Sequence, residues 1–101
     1  MKQHIIETVI FQLKDQVSSE QFLTYAQESN HAVEAFPGFV ARRLSHTADG
    51  TWYEHVEWES LQHAKAAAAE FENIEAFKPL MGCINPETVV ISHSELAISV
   101  N

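Results

Sequence analysis

Apolar and polar residues alternate along four stretches of the chain, and this period of two predicts β-strands. Residues 4–14, HIIETVIFQLK, are rich in β-branched residues and form the first predicted strand. Residues 39–48 and 51–59 alternate on either side of Asp49-Gly50, a dipeptide that favours a tight turn between paired strands. Residues 87–96, ETVVISHSEL, are the last predicted strand.

Two further stretches carry apolar residues at helical spacing. Ser18 with Gln21 three residues later forms a capping box that begins the first helix, and Pro37-Gly38 ends it. The second helix begins after Ser60. The predicted buried stripes are Phe22, Ala26, Ser29, Val33 and Phe36 on the first helix, and Leu61, Ala64, Ala68 and Phe71 on the second. Residues 1–101 are therefore expected to form one α+β domain with the ferredoxin-like order β-α-β-β-α-β and a four-stranded antiparallel sheet.

The hairpin turn decides which side chains share a face of the sheet. With Asp49 and Gly50 as the whole loop, Arg42 lies opposite Glu57, a pair that either stabilises the sheet or orients an anionic substrate. The two faces expected from this register are Phe39, Ala41, Trp52, Val56 and Trp58 towards the helices, and Val40, Arg42, Leu44, His46, Tyr53, His55, Glu57 and Glu59 on the other side.

Two helices cover only one face of such a sheet. The other face is expected to expose Ile6, Ile10, Val40, Leu44 and Tyr53, an apolar patch too large to remain in water. A second copy of the chain would cover it, so we expect a homodimer with the sheets packed face to face. The alternating tail of Leu96, Ile98 and Val100 is predicted to cross to the partner and extend its sheet.

Composition narrows the classes of partner. The net charge is −8, with six Lys and Arg against fourteen acidic residues, so no nucleic acid and no anionic membrane is expected as a partner. No apolar run approaches the roughly 20 residues of a membrane span, and the alternating N-terminus is unlike a signal peptide. The single cysteine, Cys83, rules out an internal disulfide and favours a cytoplasmic location.

Four stretches, ETVIFQLK, FPGFVARRL, DGTWYEHVEWES and FKPLMGCINPETVVISH, together resemble the antibiotic-biosynthesis-monooxygenase-like group of dimeric α+β barrels. The resemblance implies a homodimeric barrel with one small-molecule pocket per subunit, between the sheet and its helices. Some members of this group oxidise polyketide-like aromatics without metal or flavin, others degrade haem, and many have no known activity. The first hypothesis for this chain is a monooxygenase-like protein that needs no cofactor and acts on a small aromatic or enol. The haem-degrading members use an Asn on the first strand, where this chain has Glu7 and Thr8. They also use a Trp and a His around the second helix, and residues 66–81 of this chain contain neither. The haem-degrading members therefore resemble this chain least.

Large apolar side chains near the Ala66–Ala69 run are candidates for the wall of that pocket. Small alanines beside bulky residues can leave a cavity lined by aromatic groups, and small-molecule pockets have such a lining. The alternative is an ordinary filled core. The candidate substrate-binding residues are Trp58, Phe36, Phe71, Phe77 and Met81.

Glu7 interrupts the apolar face of the first strand, and a carboxylate there needs a partner. The topology is expected to bring Glu7, His93 and Trp58 together at one end of the pocket, with Glu7 and His93 as candidate catalytic residues. The alternative is a Glu–His hydrogen bond that only fixes the strands. Six histidines include no ligand pair of the H-E-x-x-H kind, so neither a metal site nor a cofactor is predicted. The alternative function is a non-catalytic dimer of the same fold, either one that binds a small apolar ligand or a stress-related protein.

Overall fold

The computed structural model describes residues 3–101, and Met1 and Lys2, the first two residues of the predicted domain, lie outside this range. The predicted α+β order with a four-stranded antiparallel sheet is confirmed for the described residues. The strands are β1 (Ile5–Gln12), β2 (Phe39–His46), β3 (Thr51–Trp58) and β4 (Val90–Glu95), and the helices are α1 (Ser19–Glu28), α2 (Asn30–Glu34), α3 (Leu61–Phe71) and α4 (Lys78–Cys83). Short 3₁₀ turns cover Glu75–Phe77 and Pro86–Thr88.

The strands lie in the order β2-β3-β1-β4, and each is antiparallel to its neighbours. β1 is therefore flanked on both sides, as its run of β-branched residues suggests. Glu7 lies opposite Val56 of β3 and opposite His93 of β4. Because directly opposed residues share a face of the sheet, this register places Glu7, Val56 and His93 side by side on the face that the helices cover.

The loop of the β2–β3 hairpin has three residues, Ala48 to Gly50, and the predicted two-residue loop is wrong. The Thr47 amide donates to the Thr51 carbonyl at 2.8 Å, and the Gly50 amide donates to the Thr47 carbonyl at 3.2 Å. Gly50 has φ +95°, the left-handed conformation that closes a three-residue hairpin loop after a β-turn.

The extra loop residue shifts the hairpin register by one position and reverses the faces predicted for much of β2. Arg42 lies opposite Val56, and a β-bulge between Phe39 and Ala41 separates it from the start of the strand. Because side chains alternate strictly, a shift of one residue exchanges the two faces. Arg42, Leu44 and His46 therefore lie on the helix side and Ala41 on the open side, so the predicted pairing of Arg42 with Glu57 is wrong.

The helices are positioned by serine caps and by small buried residues. Ser18 Oγ accepts from the Gln21 amide at 3.1 Å, and Ser60 Oγ accepts from the His63 amide at 3.2 Å, so both predicted helix starts are confirmed. The first predicted helix is divided at the buried Ser29 into α1 and α2. α3 buries Ala64 and Ala67, whereas Leu61 and Ala68, predicted to be buried, are exposed.

The sheet face away from the helices is uncovered in the single chain. Ile6, Ile10 and Tyr53 are only half-buried there, and Val90, opposite Ile10, is 60% exposed. Leu44 does not belong to this patch, because it packs against the helix-side core. In the tail, the Leu96 amide donates to the His4 carbonyl at 2.9 Å, while Ile98 and Val100 are exposed. The dimer and the crossing of the tail therefore stay predictions.

Candidate active site between the sheet and the helices

A cavity of about 510 Å³ lies between the helix-facing side of the sheet and the helices. This size falls within the range of about 300–1,000 Å³ that is typical of small-molecule sites. Most of the lining is aliphatic or aromatic, and the polar side chains that reach it come mainly from the middle of the sheet. The polar lining residues are Glu7, Arg42, Glu54 and Glu72.

Four of the five predicted substrate-binding residues line this cavity: Trp58, Phe36, Phe71 and Met81. The fifth, Phe77, is fully buried and is not among the lining residues. Its ring stacks on Phe36 with a centroid distance of 5.9 Å and on Phe71 with a distance of 4.3 Å. Phe77 therefore supports two rings of the cavity wall from behind.

Glu7, Trp58 and His93 meet near the start of β1, where Glu7 and Trp58 line the cavity. Trp58 Nε1 donates to Glu7 Oε1 at 3.1 Å, and His93 Nε2 lies 3.4 Å from Glu7 Oε2. The antiparallel register explains the meeting, since His93 is directly opposite Glu7 and Trp58 is opposite Ile5, two positions away. The arrangement fixes the position of the Glu7 side chain beside the apolar lining of the cavity.

The two predicted catalytic residues differ in their access to the cavity. Glu7 lines it and its side chain is 15% exposed, whereas His93 is not among the lining residues and is 30% exposed. A proton acceptor must come within hydrogen-bond reach of the ligand. In this arrangement Glu7 is the group that could touch a ligand, and His93 could act on it only through Glu7.

Glu54 and Arg42 form a second polar group in the cavity, and sequence reasoning missed it. Arg42 Nη2 donates to Glu54 Oε1 at 2.8 Å, and Arg42 Nε donates to both carboxylate oxygens at 3.0 and 3.1 Å. The side chains are only 9% and 16% exposed. A signal was present, because Glu54 interrupts the alternating run of Trp52, Val56 and Trp58 as Glu7 interrupts β1.

The opposite side of the Arg42 guanidinium holds the carboxyl end of α1. Arg42 Nη1 donates to the Ala26 carbonyl at 3.1 Å, to Ser29 Oγ at 3.0 Å and to Asn30 Oδ1 at 2.9 Å. A helix end leaves carbonyl groups without intrahelical partners, and a cation there satisfies them. Arg42 thus joins the α1–α2 junction to the middle of the sheet.

Burial raises the pKa of Glu54 above its ordinary value, and the hydrogen bonds and charge of Arg42 only partly oppose this effect. The charge of Glu7 acts in the same direction as burial. Val9 is the residue directly opposite Glu54, so Glu7 and Glu54 occupy diagonal positions, which lie about 7–8 Å apart in a sheet. The ionised form of Glu54 is therefore less favoured than that of a carboxyl group in water.

A second and more open cavity of about 430 Å³ lies on the other side of Arg42 and Val33. Its remaining lining residues are Asn30, Glu34, Phe39 and Ala41. It contains neither Glu7 nor any of the predicted aromatic wall, so the first cavity is the candidate site.

Within residues 3–101, no three His, Cys, Asp or Glu side chains are grouped so that they could hold a metal ion. In the same range, no helix is both long enough and apolar enough to cross a membrane.

The architecture has clear counterparts among solved structures. A candidate antibiotic biosynthesis monooxygenase from Bordetella bronchiseptica superposes with a TM-score of 0.79 at 15% identity, over 96% of this chain and 100% of that one. SnoaB, a cofactor-independent oxygenase from Streptomyces nogalater, gives 0.67 at 13% identity over 98% and 96%. The fold is that of the antibiotic biosynthesis monooxygenase-like proteins. A dimeric protein of unknown function and ferredoxin-like fold from Bacteroides fragilis shares it, with a TM-score of 0.65 at 22% identity over 92% and 96%.

These likenesses are structural. No protein-family model matches the chain, and no curated protein matches it. Identities of 13–22% show a shared fold, and a shared fold does not determine the reaction.

Proposed function

We propose that the protein is a cofactor-independent monooxygenase-like enzyme that acts on a small aromatic or enol substrate bound in the 510 Å³ cavity. One observation carries the proposal. The Glu7 carboxylate borders a mainly apolar, aromatic-lined space and is held there by Trp58 Nε1 at 3.1 Å. The oxygenase SnoaB, which has the same fold, supports the class of reaction.

The apolar lining supports a flat substrate. Phe36, Phe71 and Met81 line the cavity, and the indole of Trp58 adds a wide surface beside Glu7. Aromatic rings and a thioether make favourable contacts with a planar ligand and keep water from its reacting edge. A substrate bound in this way presents an acidic O–H or C–H group to Glu7.

The proposed reaction begins with transfer of a proton from the substrate to Glu7, which leaves an enolate or phenolate-type anion. The anion transfers one electron to dioxygen, and the resulting radical and superoxide combine to form a carbon–oxygen bond. Proton return gives a hydroperoxide, and loss of water from it leaves a carbonyl group. In sum, a ring CH₂ and O₂ become a C=O and H₂O, with the substrate as the only reductant. Base catalysis by Glu7 is expected to contribute about 10²- to 10⁴-fold.

The homodimer belongs to the same proposal. The half-buried Ile6, Ile10 and Tyr53 form an apolar strip that a second copy would cover, and the Bacteroides fragilis protein with this fold is dimeric.

We also propose a cytoplasmic location. The single cysteine, Cys83, supports it, because disulfides are rare in the reducing cytoplasm.

A binding protein without chemistry is the second candidate function. Both oxygens of Glu7 already have neighbours within the chain, Trp58 and His93, and such contacts would serve equally well to fix three strands. In that case the cavity holds a small apolar ligand, and Glu7 only orders its wall.

Oxygen uptake with Glu7→Gln distinguishes the two functions. Anthrone is a suitable probe, because loss of a proton from its ring CH₂ converts its ketone into a phenol, and the proposed reaction turns that CH₂ into a carbonyl group. The matched control is Glu57→Gln, since Glu57 also pairs with a histidine, His4, at 2.6 Å but on the open face of the sheet. The wild type and Glu57→Gln should consume oxygen, and Glu7→Gln should lose at least 100-fold in rate with little change in anthrone affinity.

The opposite results are equally informative. A Glu7→Gln variant that keeps the wild-type rate would remove Glu7 from the chemistry. Anthrone binding without oxygen uptake by the wild type would support the binding-protein function instead. Light scattering on Glu57→Gln checks that the control still has the mass of the wild type, because Glu57 lies on the proposed dimer face.

A further inference from the structure

Two carboxylates, Glu7 and Glu54, border the cavity from the middle of the sheet, and among residues 3–101 Arg42 is the one Lys or Arg in its lining. Arg42 is already engaged on both sides. Its Nε and Nη2 atoms bind Glu54, and its Nη1 atom binds the end of α1 and the start of α2. A ligand carboxylate would have to compete with Glu54 for this guanidinium.

Glu54 can accept a further hydrogen bond. An ionised carboxylate offers about four lone-pair positions, and the hydrogen bonds that Glu54 accepts among the described residues all come from Arg42. Its side chain retains 16% exposure and lines the cavity. A ligand O–H in the cavity could therefore donate to Glu54 without displacing Arg42.

The environment of Glu54 disfavours a second anion beside it. Burial and the charge of Glu7 together raise the pKa of Glu54, so a negative charge is disfavoured here even with Arg42 in contact. A ligand carboxylate would lose its hydration in the same space and would meet both Glu7 and Glu54.

We propose that Glu54 determines the ligand specificity of the cavity, so that neutral hydroxyl donors such as phenols and enols bind in preference to carboxylates of the same shape. The inference rests on the proposed ligand site and not on the proposed oxygen chemistry. It assigns to Glu54 a contact with the ligand that Glu7 alone would not provide.

The test compares 2-naphthol with 2-naphthoate, two ligands of similar shape that are neutral and ionised, respectively, at neutral pH. Affinities are measured by calorimetry without oxygen, so that any turnover cannot affect the result. The wild type should bind 2-naphthol at least tenfold more tightly than 2-naphthoate. Glu54→Gln leaves Arg42 without its counter-charge and should lower this ratio at least tenfold, whereas Glu54→Asp retains the charge and should preserve the preference.

Equal affinities of the wild type for the two ligands would overturn the proposal, and this comparison does not depend on any variant folding. An unchanged ratio in a folded Glu54→Gln variant would also overturn it. Binding of neither ligand would overturn both this proposal and the ligand site itself. A preference for 2-naphthol together with an absence of oxygen uptake would leave the specificity standing and remove only the oxygenase function.

Discussion

Separate substitutions of Phe77 and Phe71 distinguish a ring that supports the cavity wall from behind from a ring that forms the wall. Phe77 is fully buried and stacks on two rings, whereas Phe71 is half-buried, lines the cavity and, among the described residues, stacks on one ring, that of Phe77. We expect Phe77→Leu to act mainly on stability and Phe71→Leu mainly on ligand affinity.

The magnitudes follow from the ring pairs. An aromatic pair contributes about 0.5–1.5 kcal/mol beyond its buried area, so Phe77→Leu, which removes two such pairs, should cost about 1–3 kcal/mol. Phe71→Leu removes one pair and should cost about half as much. For a chain of this length, each kcal/mol lowers Tm by roughly 4–8 °C. Total stabilities of about 5–15 kcal/mol leave both variants folded.

Urea unfolding followed by circular dichroism measures the two losses at one fixed chain concentration, because the apparent stability of a dimer depends on concentration. Calorimetry with 2-naphthol then measures affinity, which Phe71→Leu should weaken and Phe77→Leu should leave nearly unchanged. The reasoning fails if Phe77→Leu is the less destabilising of the two, or if it weakens 2-naphthol binding more than Phe71→Leu does.

Three further predictions concern the backbone, the assembly and the buried carboxylate. Gly38→Ala should lower the free energy of unfolding in urea by about 1–3 kcal/mol, since Gly38 has φ +81° and a Cβ there would overlap the His63 side chain. Gly82→Ala is the control, because a Cβ there meets nothing within 4 Å and should not destabilise the fold. Light scattering should give twice the chain mass of 11.4 kDa. Deletion of residues 96–101 should shift the population towards monomer, and an unchanged dimer dissociation constant would refute the crossing of the tail. The pKa of Glu54 is raised in the folded state, so the folded state binds the Glu54 proton more tightly than the unfolded state does. The free energy of unfolding of the wild type should therefore fall relative to that of Glu54→Gln as the pH rises from 4.5, the ordinary pKa, towards the folded pKa. A difference between the two proteins that does not change with pH would contradict this.

The order of elements could be predicted from the sequence because local signals agreed with one another. The alternation in β1, the caps at Ser18 and Ser60 and the break at Pro37-Gly38 each mark an element without reference to distant residues. The convergence of Glu7 with Trp58 could also be anticipated, because strand order alone brings the start of β1 beside the end of β3.

The register of β2 could not be predicted, because it depends on two local irregularities. A three-residue loop and a two-residue loop both suit Asp49-Gly50, and alternation gives no sign of the bulge between Phe39 and Ala41. The shift moved Arg42 to the helix side, which is why its pairing with Glu54 was missed. Packing decided the place of Phe77, since its spacing alone does not distinguish a ring on a cavity wall from one behind it.

The most direct test of the ligand site is a crystal structure of the protein with 2-naphthol. The account predicts that the ligand lies between the sheet and the helices, with its ring against Phe36 and Phe71 and its hydroxyl within hydrogen-bond distance of Glu7 or Glu54. A ligand bound on the open face of the sheet, or a cavity closed by rearranged side chains in the presence of saturating 2-naphthol, would contradict it.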